Sequence, residues 1–168
     1  MTKTATLPPF ARELKAMLLG CLACGTLDIT AAFIAYGILG VKPLVLLHFI
    51  ASGALGARSF QGGLATAALG LFFEYLISLG AAAAYVIASR FLPILLNRAE
   101  ICGVLYGVFV YFFMNGIVVP LSATSKQPFS LKLTIIGIVI HMFCVGLPIA
   151  LVARHVLGRP RLLAPAKL

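Results

Sequence analysis

Three ionisable side chains stand alone in stretches that carry no other charge: Asp28 in GTLDITAAFIAYGILG, Glu74 in LGLFFEYLISLG and His141 in IVIHMFCVG. A further apolar run contributes Tyr111 and Asn115, four residues apart. Carboxyls, an imidazole, a phenol and an amide held at one depth are the groups needed to pass a proton or to hold a small cation away from water. A carboxylate at the middle of a bilayer opposes insertion by about 3 kcal/mol. No Lys or Arg lies within the runs that hold these acids, so the charge must be dealt with by uptake of a proton, by hydrogen bonds from Asn, His or Tyr, or by a bound cation. The expectation is that Asp28 or Glu74 is neutral much of the time. The plainer reading, an interhelical hydrogen bond that only fixes packing, stands beside this one.

Other chemistries are poorly supplied. His48 and His141 read as ligands at unequal depth, which disfavours a haem held between them, and a lone His141 at a packed interface is a ready hydrogen-bonder. Cys21-Leu22-Ala23-Cys24 spells C-x-x-C but lies a turn or two inside an apolar run, away from the helix N-terminus that activates such thiols. The four cysteines show no disulfide spacing and read as small hydrophobes. There is no H-E-x-x-H, no phosphate-binding glycine loop and no hydrolase triad pattern. No catalytic residue, metal site or cofactor is expected, and an enzyme is the less favoured class.

The elements that must position these groups are apolar runs long enough to cross about 20 residues' worth of hydrocarbon. Four are predicted: Ala16–Gly40, Leu64–Ser89, Ile101–Leu121 and Leu133–Ala153. A shorter piece, Pro43–Gly56, opens on proline and closes on glycine, which predicts an interfacial or re-entrant helix. A cleaved signal ending near Cys21 is disfavoured because the apolar run continues about twenty residues further. The fold class is therefore all-α: a four-transmembrane-helix bundle with one short extra helix, a single membrane domain over residues 1–168. A hydrophobic content of 62% and a charged content of 10% agree with this, as does a mean hydropathy of +1.11.

The net charge of +9 does not form a basic stripe interleaved with aromatics, so nucleic acid is not an expected partner; the lipid bilayer is. Lys3, Arg12, Lys15, Arg90, Arg98, Arg154, Arg159, Arg161 and Lys167 fall on one side of the predicted spans. Lys42, Arg58, Lys126 and Lys132 fall on the other. The positive-inside rule then places both termini in the cytoplasm. The end GRPRLLAPAKL reads as a loose cytoplasmic tail.

Helical projection sets each polar group in a stripe of small residues, the side on which helices approach in lipid. Cys21, Cys24, Gly25, Ala31, Ala32 and Ala35 share the side of Asp28, while Leu22, Phe33 and Ile34 point away. Ala67, Gly70, Ser78, Ala81, Tyr85 and Ala88 accompany Glu74, with Phe72, Leu76 and Leu79 elsewhere. Thr134, Gly137, Cys144 and Pro148 accompany His141, and Gly103-xxx-Gly107 precedes Tyr111 and Asn115. Gly25, Gly70, Gly103, Gly107 and Gly137 are thus the expected packing glycines. All four polar positions lie within roughly 6 Å of the span centres at 1.5 Å per residue. A shared midplane site of Asp28, Glu74, Tyr111, Asn115 and His141 is the expectation.

The stretch FLPILLNRAEICGVLYGVFVYFFMNGIVVPLSA, with Tyr85 and Phe91-x-Pro93 leaving the second run, a glycine-rich third run ending at Pro120-Leu121, and a fourth run with a histidine that leads to Arg154, resembles the YagU-like group of small bacterial inner-membrane proteins. That resemblance, over about Leu64 to Arg154, implies a bacterial inner membrane and four helices, and transfers no site residue. Two functional classes remain: a small protein handling protons or a small ion or solute, in which case homo-oligomers would help enclose a path, or a non-catalytic scaffold or accessory subunit whose polar residues fix packing.

Overall fold

A computed structural model describes residues 8–125 and 130–158. Lys3, Lys126, Arg159, Arg161, Lys167 and the expected loose tail beyond Gly158 lie outside the described residues. Among the described residues there is no strand. The helices are α1 (Pro9–Ile38), α2 (Pro43–Leu55), α3 (Gly63–Phe91), a short α4 (Ile94–Asn97), α5 (Ala99–Leu121) and α6 (Leu131–Leu157). A 3-10 turn, Gly56–Gln61, continues α2. Five helices are long and apolar enough to cross a membrane once α2 is counted with that turn as 19 residues, which fits a multi-pass membrane bundle. The long helices outrun the predicted spans mostly at one end of the bundle, where Arg12, Glu13, Arg90, Glu100 and Arg154 extend them as polar ends beyond the apolar runs.

Local chemistry accounts for where the helices begin and bend. Proline at the first position starts both α1 and α2, where a missing N–H is no loss. After Ile38, Gly40 adopts φ 83°. Its N–H reaches the Gly37 carbonyl (2.9 Å) and the Val41 N–H reaches the Tyr36 carbonyl (3.0 Å). This paired closure needs a residue in the left-handed region and stops α1 two residues short of the predicted end. Within α5 and α6 the turns Met114–Val118 and His141–Gly146 widen into π-helix. Each leads into a proline, Pro120 and Pro148. A proline ring clashes with the carbonyl four residues back, here Gly116 and Cys144, and supplies no N–H to it. The Val119 and Leu147 N–H groups accordingly reach back five residues, to Met114 and Met142.

Neighbouring pairs show how the helices run. Glu13 meets Arg90, Gly20 faces Ala82 and Gly25 faces Ser78, so α1 and α3 are antiparallel. Arg12 bonds the Val156 carbonyl (2.8 Å) and Gly20 faces Ile149, so α1 and α6 are antiparallel as well. Gly103 lies against Leu147 and Ala150, Gly107 against His141, and Gly137 against the Tyr111 ring, which makes α5 antiparallel to α6. The α2 helix lies on α3, with the Leu47 carbonyl where a side chain on Gly70 would stand. Its far end meets the end of α5, where the Ala123 N–H bonds the Gly53 carbonyl (2.9 Å).

The buried core sits in the half of the bundle nearer Arg12 and Arg90. Cys24, Ala82, Tyr85, Val86, Ile149 and Ala150 are all essentially sealed there. Between apolar helices in lipid, such packing rests on close dispersion contacts. Tyr106 closes the gap between α5 and α3, donating to the Ala81 carbonyl (2.8 Å) and meeting the Tyr85 ring edge-on at 5.0 Å. The opposite half is looser, because α6 buries no residue from Leu131 to Ile140. Leu22, Ile34, Phe72 and Leu76, read as pointing away from the bundle, are exposed, whereas Phe33 is half-buried and Leu79, read the same way, packs against the core.

Candidate functional site

The antiparallel course of α1 and α3 carries Asp28 and Glu74 to the same level. Packing at Gly25, whose absent side chain leaves room for Tyr75 and Ser78, sets the separation of the two helices there. The two carboxyls are electrostatic neighbours across the α1–α3 contact. Asp28 Oδ1 is buried, and no described N–H or O–H donates to it. Just below, Thr26 and Tyr75 join their hydroxyls at 2.9 Å, and the Cys21 thiol donates to the Tyr75 carbonyl at 3.3 Å.

Further polar groups stand across the bundle from this pair. Tyr36 on α1 lies within electrostatic reach of both Asp28 and Tyr111. The Tyr111 ring stands edge-on to His141 with centroids 5.3 Å apart. Cys144, on the same widened turn as His141, also feels Asp28. Tyr111 on α5 and His141 on α6 are thus in ring contact, while Tyr36 and the two acids lie on α1 and α3. His141 keeps one ring nitrogen, Nδ1, against the Gly137 carbonyl of its own helix at 2.9 Å. Asn115 stays apart: it is exposed, and its amide donates to the Tyr111 carbonyl at 2.9 Å. His48, near the other end of the bundle, is buried with Nε2 against the Gly63 carbonyl at 2.8 Å.

The five glycines expected at helix contacts all occupy them. A side chain on Gly70 would meet the Leu47 backbone, one on Gly107 the His141 backbone, and one on Gly103 the Ala150 side chain and the Gly146 carbonyl. Gly146, facing both Gly103 and Gly107, is a sixth that the stripe around His141 did not include. Tyr36 was likewise absent from the expected site, although it lies two steps of four residues from Asp28 on the same face. No group of three or more metal-ligating side chains occurs among the described residues.

The remaining two acids, Glu13 and Glu100, pair with Arg90 and Arg154 at one end of the bundle. No family model, curated protein or solved structure matches this chain.

Proposed function

We propose that the protein handles protons, or a small cation in exchange for them, at the Asp28–Glu74 pair. The observation that supports this reading most is the placing of two carboxyls side by side at mid-height, where the described residues supply no Lys or Arg partner. Such a pair changes its charge by taking up or losing a proton, and a cation held between the carboxyls competes with that proton. Tyr36, Tyr111 and His141 are the further polar residues through which a proton would pass onward.

The same reading takes the chain as four spans in a bacterial inner membrane with both termini cytoplasmic. The antiparallel course of α1 and α3 supports four, because the segment joining them then begins and ends at one face of the bundle. The α2 helix becomes a re-entrant piece lying on α3. The meeting of Arg12, Arg90 and Arg154 at the opposite end supports a cytoplasmic assignment for that end. Four spans enclose little space, so a homo-oligomer is the expected working form.

A second reading, a scaffold or accessory subunit, is favoured by the local hydrogen bonds of His141 and Asn115, both made to their own helices. One experiment separates the two. Wild type, Asp28→Asn and Glu74→Gln are reconstituted in liposomes holding a pH-sensitive dye, with thermal midpoints measured in parallel. Loss of at least tenfold in the dye response with an intact midpoint supports proton handling. Loss of folding supports the scaffold, and no change in either measurement rejects both roles for these acids.

A further inference from the structure

Between α1 and the first half of α6 the bundle opens to the lipid. The opening holds about 500 Å3, within the roughly 300–1,000 Å3 of ligand sites. Ala31, Ala35 and Ile38 form one wall, Ile136 and Ile140 the other, and Lys132 supplies the only charge on its lining. Lys132 stands at the rim, at the end of the bundle away from the Glu13–Arg90 pair; Ile140 is eight residues deeper, roughly 12 Å along the helix. At the foot, Ala31 lies one turn from Asp28, and Ile140 one turn from Cys144.

Shape and charge select the occupant. Spread over that depth, the volume leaves a section of about 40 Å2, less than half that of a helix about 10–12 Å across with its side chains. An extended hydrocarbon tail fills such a section along its length, whereas a helix from a second copy would insert only its side chains. Two apolar walls give such a tail more dispersion contacts than the convex surface of a single helix. The exposed ammonium at the rim complements an anionic head in the interfacial layer.

We propose that the α1–α6 groove is a binding site for one acyl chain of an anionic phospholipid, with Lys132 against the headgroup and the tail running down to Ala31 and Ile140. A seated tail closes the lateral side of the bundle one turn from Asp28. The proposal stands independently of what the acids do.

Native mass spectrometry of the purified protein, titrated with phosphatidylglycerol or with phosphatidylcholine of the same chains, tests it. Wild type is expected to retain phosphatidylglycerol about fivefold more tightly. Lys132→Gln is expected to erase that preference and keep the residual tail binding. Ala35→Phe, which fills the groove, is expected to lose the tightly held lipid of either kind. Equal retention of both lipids by wild type overturns the proposal, as does an unchanged preference in Lys132→Gln. Efficient disulfide formation between copies through Ile136→Cys overturns it too, because a second chain then occupies the groove. Lys132 lies at the rim, outside the packed core, so that variant decides the matter even where Ala35→Phe fails to fold.

Discussion

Glu13 and Glu100 at the basic end, and Asp28 and Glu74 at mid-height, are the same functional group in two surroundings. The first two each meet an arginine from another helix, Glu13 with Arg90 and Glu100 with Arg154. Both pairs are partly exposed, so their contribution is small and screened. The second two have only each other and the phenols nearby. There the medium gives no counter-charge, and a proton becomes the simplest way to lower the energy. Chemical identity is therefore a poor guide to what an acid in this chain does, and depth together with partner is a good one.

That contrast rests first on the contacts that hold the helices at fixed separations. Gly107→Leu drives a side chain into the His141 backbone and is expected to cost about 3 kcal/mol or more, read as loss of the monodisperse folded species on size-exclusion chromatography. Gly116→Ala, with open space around it, is the control and should fold normally. Next in size, Asp28→Asn combined with Glu74→Gln is expected to raise stability by about 2 kcal/mol, since a pair kept for function burdens the fold; steric-trap or denaturant unfolding measures it. A fall of similar size would instead assign the pair to packing. Smallest are Glu13→Gln and Glu100→Gln. Each is expected to move the thermal midpoint by about 1–2 °C at most, with the difference vanishing in high salt. A larger shift at either end acid than at Asp28 would remove the distinction between the two pairs.

Much of the frame was legible in the chain. Apolar length located the long helices, and small-residue stripes located Gly25, Gly70, Gly103, Gly107 and Gly137 at contacts, because in lipid close approach is the main route to helix association. The equal depth of Asp28 and Glu74 was legible too, since α1 and α3 run antiparallel with Gly25 against Ser78. Asn115 is exposed and bonds its own helix. Its four-residue spacing from Tyr111 implies a shared face, and the widening before Pro120 falls beyond Phe113, in the bond from Val119 back to Met114. The short helix expected at Pro43–Gly56 is found at Pro43–Leu55, and the 3-10 turn Gly56–Gln61 that continues it carries polar residues an apolar-run count excludes. The splay of α6 away from α1 has no signature in composition, as both walls of the groove are as apolar as any lipid-facing surface.

The pairing of Asp28 with Glu74 also has a consequence for biosynthesis. A ribosome delivers α1 well before α3, so the aspartate enters the bilayer with no companion carboxyl to share a proton. For that interval the segment must tolerate it unaided, at about 3 kcal/mol against roughly 0.3–0.6 kcal/mol gained per Leu, Ile or Phe. Leu18, Leu19, Leu22, Leu27, Ile29, Phe33 and Ile34 supply nearly all of that compensation. Nascent chains truncated before residue 74 should thus integrate near the threshold, and polar substitutions among those seven would be felt at the translocon before any tertiary contact exists.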